Sequence, residues 1–239
     1  MRKFRYTKRV VVLLLILAMA FLMNGCDYQE ELPTETPTED LSYLELYGDY
    51  VQSVLDANYH GDHAVYMQIT GANKEQASKM TDAHAVNMAE QMADIYAIQL
   101  DMIPGTIGQR LTEIGYQVYK AAMYSVDGVE KSGETVYVTV SVSPLQFYQG
   151  AAEGIDSFID SFNERAKLGE FEMLSENEYE NEYAEGIVAV LEDAVKNLKY
   201  EEAKTYRIQI RYNEETGVNY IADEDMDAID KLVLADWEG

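Results

Sequence analysis

Thr135-Val136-Tyr137-Val138-Thr139-Val140-Ser141-Val142 carries valine at every second position and a hydroxyl or phenol at the positions between. Successive side chains of an extended chain point to opposite faces, so this octapeptide has one all-valine face and one polar face. It predicts a half-buried β-strand. Residues 123–130 read as its partner across Lys131-Ser132-Gly133, which makes an antiparallel hairpin whose second strand stops at Pro144, a residue that cannot donate to a ladder. Residues 203–212 and 218–221 predict a second hairpin around residues 213–217.

Outside these segments the apolar period is 3.6 instead of 2. Leu41, Leu44, Tyr47, Val51 and Leu55 share one helical face, with Thr38 placed as the cap. Residues 64–70 are compatible with a short helix or a loop, and Gly71 breaks them. Asn73 and Gln76 form a capping-box pattern that opens a long helix through Ala77, Met80, His84, Met88 and Met92, closed by Pro104-Gly105. A third helix carries Ile107, Leu111, Ile114 and Val118, a fourth Ile155, Phe158 and Phe162, and a fifth Tyr183, Ile187, Leu191 and Leu198. Asp223 is placed as the cap of a last helix holding Met226, Ile229 and Val233. Gly115, Gly154 and Gly186 fall inside these patterns, where Gly is about 1 kcal/mol worse than Ala, so close helix packing is their expected reason. The order ααα-ββ-αα-ββ-α predicts an α+β fold of about six helices, with four antiparallel strands in two hairpins and helices on one face. Helices alternate with hairpins and not with single strands, so the rule for parallel crossovers has nothing to act on.

The amino terminus reads differently. Arg2, Lys3, Arg5, Lys8 and Arg9 form a cationic segment, and residues 10–23 are an unbroken apolar run of 14, shorter than the roughly 20 residues of a spanning helix. Met23-Asn24-Gly25-Cys26 follows. It resembles the lipobox of bacterial lipoproteins, with Met where Leu is commonest and Asn where Ala or Ser is typical. The resemblance implies cleavage between Gly25 and Cys26 and a diacylglyceryl group on Cys26. Residues 1–25 are then a lipoprotein signal peptide, residues 26–40 the lipidated Cys with an acidic Pro/Thr tether, and residues 41–239 a single α+β domain. Two buried acyl chains at about 0.8 kcal/mol per methylene give a stable membrane anchor, on the extracytoplasmic face.

Of the 18 Lys and Arg, five lie before Val10, which leaves 13 bases against 43 acids in the remainder. So acidic a body repels phosphate backbones, and nucleic acid is excluded as a partner. Cys26 is the sole Cys, so no intrachain disulfide and no cysteine catalysis are expected.

Candidate chemistry is sparse. His60-Gly61-Asp62-His63 sets two imidazoles and a carboxylate within four residues, a weak metal-ligand pattern that ordinary turn residues also explain. Asp223-Glu224-Asp225-Met226-Asp227 starts like a calcium loop. It has Ala228 and Leu234 where that loop needs Gly and a bidentate Glu, so an acid-rich first helical turn with weak Ca²⁺ association is expected. The acids between Glu170 and Glu185 could include a glycosidase pair, but a dense run reads as a solvated face. Serine, zinc, P-loop and dinucleotide signatures are absent. No cofactor is expected.

Asn58-Tyr59-His60-Gly61-Asp62 after an opening helix, and Tyr220-Ile221-Ala222-Asp223-Glu224-Asp225 at a closing hairpin and helix, together with the lipobox and tether, resemble a loose group of small Gram-positive lipoproteins of unknown function. Some of these are similar to NTF2-like and cystatin-like α+β folds, which often enclose a pocket. The resemblance carries no catalytic residues. The expectation is a non-enzymatic, lipid-anchored extracytoplasmic module that binds a cell-envelope protein or a small ligand. The alternatives are a carboxylate-dependent envelope hydrolase and a solute-binding lipoprotein.

Overall fold

The computed structural model describes residues 42–234. The signal segment, Cys26, the tether, Thr38 and Leu41 lie outside the described residues. Seven α-helices and a four-stranded antiparallel sheet are described, in an α+β arrangement. Helix α1 is Ser42–Leu55, α2 Ala64–Thr70, α3 Lys74–Ile95, α4 Gly105–Lys120, α5 Phe147–Lys167, α6 Glu176–Lys196 and α7 Asp223–Val233; the strands are β1 Met123–Ser132, β2 Thr135–Ser143, β3 Lys204–Asn213 and β4 Val218–Ile221. The helix beyond the expected six is α2, the stretch that sequence period alone left open.

The sheet is a meander, β1-β2-β3-β4, in which the two hairpins meet through β2 and β3 with Val136 opposite Ile210 and Val138 opposite Ile208. Val136, Val138, Val140 and Val142 are buried together with Ile208 and Ile210, which makes the valine face the floor of the core. Helices α1 and α7 lie on that face. The opposite face is polar and carries Arg207 over the Tyr137 ring at 3.8 Å, with Glu130 paired to the same guanidinium. One register shift, between Val126 and Gly128, bends edge strand β1.

Around this layer the helices pack in pairs, α3 against α4 and α5 against α6, with α4 also touching α6. The Asn73/Gln76 capping box is present in both directions at 2.9 and 3.0 Å. Helix α6 begins earlier than its apolar period indicates, because Ser175 and Glu178 close a second capping box and the acids of its first turn complement the helix dipole. The glycines behave as close-approach points: a Cβ on Gly115 would sit 2.7 Å from the Ala85 carbonyl oxygen, and one on Gly186 would overlap the Phe158 ring. Arg110 of α4 grips α6 through both carboxylate oxygens of Glu192, at 2.7 and 2.9 Å, and through Glu185 at 2.5 Å.

Between α3 and α4 the chain turns through Ala97 in the left-handed region, φ 55°. Glu180, buried on α6, holds the turn by accepting the Gln99 backbone N–H at 3.0 Å, and the Tyr183 hydroxyl donates to the Tyr96 carbonyl at 3.0 Å. A left-handed Ala is strained by about 1–2 kcal/mol and Gly gives back part of that in chain entropy, so Ala97→Gly is expected to raise the unfolding free energy by about 0.5–1 kcal/mol, measurable by urea denaturation. An unchanged or lowered value would mean that the turn is not held left-handed in solution.

Candidate functional site

At its carboxyl end α1 does not stop but widens into a π-helical turn, Asp56–His60, closed by Gly61 at φ 68°, where an L side chain would be strained. The extra residue per turn rotates the side chains that follow, a device found often at functional sites. Asn58 and Tyr59 therefore turn inward and are buried, while His60 stays at the surface. The Asn58 side-chain N–H donates to the Val54 carbonyl at 2.8 Å, which leaves its Oδ1 as an acceptor toward α3. His84 Nε2 donates to that oxygen at 3.0 Å. Its Nδ1 then faces Asp230 Oδ1 of α7 at 3.8 Å. The buried Tyr59 hydroxyl donates to the same Asp230 oxygen at 2.6 Å. One carboxylate thus collects a phenol from the π-turn and an imidazole from α3.

Burial raises the Asp230 carboxyl above the usual aspartate range, and Asp227 adds to this, against the lowering pull of His84 and of the Tyr59 hydrogen bond. Burial first, then Asp230, raises the Tyr59 phenol well above its ordinary value, and the same two causes raise Tyr119. Tyr59 stacks on Tyr119 with ring centroids 5.7 Å apart and meets His84 at 5.5 Å and Tyr124 at 5.7 Å. This aromatic block fixes the polar groups with few side-chain torsions free.

A second His-Tyr-Asp grouping backs onto the first. Tyr124 donates to Asp56 Oδ1 at 2.8 Å and lies 3.1 Å from His60 Nδ1, and the His60 ring stacks on Tyr124 at 5.0 Å. Burial, then the hydrogen bond to Asp56, raises the Tyr124 phenol. His60 Nε2 donates to the Ala122 carbonyl at 3.0 Å.

Beside the first grouping lies a groove of about 650 Å³, between α1 with its π-turn, α3, β4 and α7. Asn58, His84, Tyr119 and Asp230 form its floor, Met80 and Met226 part of its walls, and Asn87, Asp227 and Lys231 its exposed rim. Its size falls within the range of small-molecule sites.

The residues singled out in the sequence separate here. His60 Nε2 is bound to Ala122, whereas His63 Nε2 donates 2.9 Å to Thr81, whose own hydroxyl donates to the Ala57 carbonyl at 2.6 Å. Asp62 accepts the Ala64 N–H at 3.2 Å. The three do not converge, and among the described residues no three His, Cys, Asp or Glu side chains are placed to hold a metal ion. The Asp-x-Asp-x-Asp run is likewise divided by helix geometry. Asp225 is buried and accepts the Tyr206 hydroxyl at 2.8 Å, while Asp223 and Asp227 are exposed at the groove. The acids between Glu170 and Glu185 are spread over a cap at Glu178, ion pairs of Glu170 and Glu182 with Arg165 and of Glu185 with Arg110, and the buried anchor Glu180. His84, placed by its period on the Met80/Met88 face, does line the groove at 18% side-chain exposure. Tyr59 and Asp230 carried no local signal of their roles.

No family model matches the chain, and no curated protein matches it in sequence. Among solved structures it is similar to a candidate lipoprotein of Bacillus subtilis, ycdA, with 14% identity and a TM-score of 0.52. The likeness covers 78% of this chain and 55% of the other, so the chain matches only about half the length of that protein. At this identity the two share a fold.

Proposed function

We propose that the chain is a non-enzymatic, lipid-anchored binding module on the extracytoplasmic face of the membrane, and that its ligand occupies the groove between α1, α3, β4 and α7. The observation that carries this reading is the groove itself, about 650 Å³ with a floor of Asn58, His84, Tyr119 and Asp230 that is preorganised by the His84–Asn58 bond and, from behind, by the buried Tyr59 hydroxyl on Asp230. The carboxylates that line it, Asp223, Asp227 and Asp230, all come from α7. A hydrolase acid and base work from opposite sides of the bond they cleave, so acids on a single helix favour binding over hydrolysis. Anchoring is supported by the cationic, apolar and Gly25-Cys26 sequence of the amino terminus and by the fold shared with the candidate lipoprotein. Among the described residues no helix is long and apolar enough to cross a membrane. In this reading residues 1–25 are removed, residues 26–40 tether the body, and Ca²⁺ associates weakly at the acidic surface.

Two measurements test the proposal. In cells fed labelled fatty acid, the chain is expected in the membrane fraction with label, and Cys26→Ser is expected to lose both. A labelled Cys26→Ser product would overturn the anchor. For the groove, thermal unfolding of the full chain in detergent is followed against wall fragments, amino acids, short peptides, Ca²⁺ and Zn²⁺, with a chelator control. A ligand at 100 times its Kd adds about 2.7 kcal/mol and raises the midpoint by several degrees. Asn87→Trp, which fills the exposed rim, is expected to abolish the shift without lowering the ligand-free midpoint. A shift that survives Asn87→Trp would overturn the groove as the binding site, and turnover of any panel member would overturn the non-enzymatic reading.

A further inference from the structure

On the reading of the groove as the binding site, its chemistry narrows the ligand. At the floor the strongest donors are already used within the protein: the Tyr59 hydroxyl on Asp230, His84 Nε2 on Asn58, and the Asn58 amide on Val54. What the groove presents is mainly acceptors. Asp230 lies at the floor with 28% of its side chain exposed, and Asp223 and Asp227 stand at the rim. Gln91, in the α3 wall, has its Oε1 buried without a hydrogen-bond partner among the described residues. The one basic group of the lining apart from His84 is Lys231, exposed at the rim. Tyr50, Tyr66, Tyr119 and Tyr220 add aromatic rings, whose faces attract cations.

Acceptors at depth, an unpartnered amide oxygen in the wall and aromatic sides are the complement of a group that only donates and carries positive charge. An ammonium has three donors and no acceptor, so it can donate to Asp230 without bringing an acceptor of its own that the groove would leave unpaired. We propose that the groove takes a small organic cation with a primary ammonium group, seated on Asp230 with the rest of the molecule between the tyrosine rings. An amino sugar and an aliphatic amine share this chemistry. An anionic ligand would meet three carboxylates, and a neutral one would bring no positive charge to Asp230 beyond what His84 supplies.

The chain is acidic throughout, so attraction of any cation to its surface has to be separated from binding in the groove. Calorimetric titration of the full chain in detergent at physiological salt uses glucosamine, cadaverine and, as the neutral counterpart, N-acetylglucosamine. One saturable site per chain is expected for glucosamine, for cadaverine, or for both, which also tells sugar from aliphatic amine. Asp230→Asn, close to isosteric, is expected to weaken it at least tenfold, and Asp227→Asn, at the exposed rim, several-fold. Glu153→Gln, an exposed acid on α5, is expected to leave it within twofold. Binding equally sensitive to all three variants is diffuse attraction and overturns the proposal. N-Acetylglucosamine binding as tightly as glucosamine also overturns it, while leaving the groove as a site for neutral ligands. Absence of binding by every probe overturns it too, and the Asn87→Trp experiment then decides separately whether the groove binds anything.

Discussion

Tyr59→Ala is expected to lower the unfolding free energy by about 3–5 kcal/mol, because a fully buried ring in contact with His84, Tyr119 and Tyr124 is removed and the cavity cannot close around it. Tyr59→Phe keeps the ring and removes only the hydroxyl that donates to Asp230 at 2.6 Å, a bond to a charged group in a poorly solvated place; its loss is expected to lower stability by about 1.5–3 kcal/mol. The difference between the two variants separates packing from hydrogen bonding. The smaller effect also depends on pH. Asp230 has a folded-state value above its unfolded one, so the folded chain binds its proton more tightly, and its carboxyl favours folding more as pH falls from the raised value toward the ordinary aspartate range. Removing the hydroxyl raises Asp230 further. The deficit of Tyr59→Phe is therefore largest at neutral pH and shrinks on acidification, with His84, Tyr119 and Asp227 as the other titratable neighbours. Urea denaturation of both variants across this range tests it, and a deficit that grows toward acid would contradict the bond to an ionised Asp230.

Gly115→Ala is expected to lower stability by about 2 kcal/mol, although an Ala in a free helix would gain about 1 kcal/mol over Gly. The sign reverses because the new Cβ would lie 2.7 Å from the Ala85 carbonyl oxygen and 3.1 Å from the Ala85 Cα. These are backbone atoms of α3 and cannot rotate aside, so the two helices must separate along their contact. Gly108→Ala in the same helix has nothing within 4 Å of the new Cβ and is expected to raise stability by about 0.5–1 kcal/mol. Opposite signs for two identical substitutions seven residues apart, about 10.5 Å along one helix, would establish the α3/α4 contact in solution; equal signs would contradict it.

The strand carrying alternating valines, the capped helix after Asn73 and the helix-packing role of Gly115 and Gly186 were all legible in the sequence, because each is a local pattern with one physical solution. The start of α6 was equally local in Ser175-x-x-Glu178, but the density of acids around it pointed to a solvated face, and Glu180 shows how one member of such a run can be buried as an anchor for another segment. The groove was not legible. Its floor joins the π-turn, α3 and α7, and neither the widening of α1 at Asp56 nor the meeting of Tyr59, His84 and Asp230 leaves a periodic trace. The histidines that stood close in sequence, His60 and His63, bond to different segments, while His84 joins the site from elsewhere.

The meander also sets a kinetic order. Each hairpin closes over a short turn, whereas the central pairing of Val140 with Tyr206 must wait for the whole α5 and α6 segment to be gathered between them. Closing a loop of roughly 60 residues costs about 4 kcal/mol in chain entropy before any contact offsets it. The α5/α6 pair folds back on itself and shortens the effective span, so its early docking is expected to speed the meeting of the two halves of the sheet. The floor under the groove is expected to form late, since Tyr59 and Asp230 belong to opposite ends of the described chain and their contact spans 171 residues.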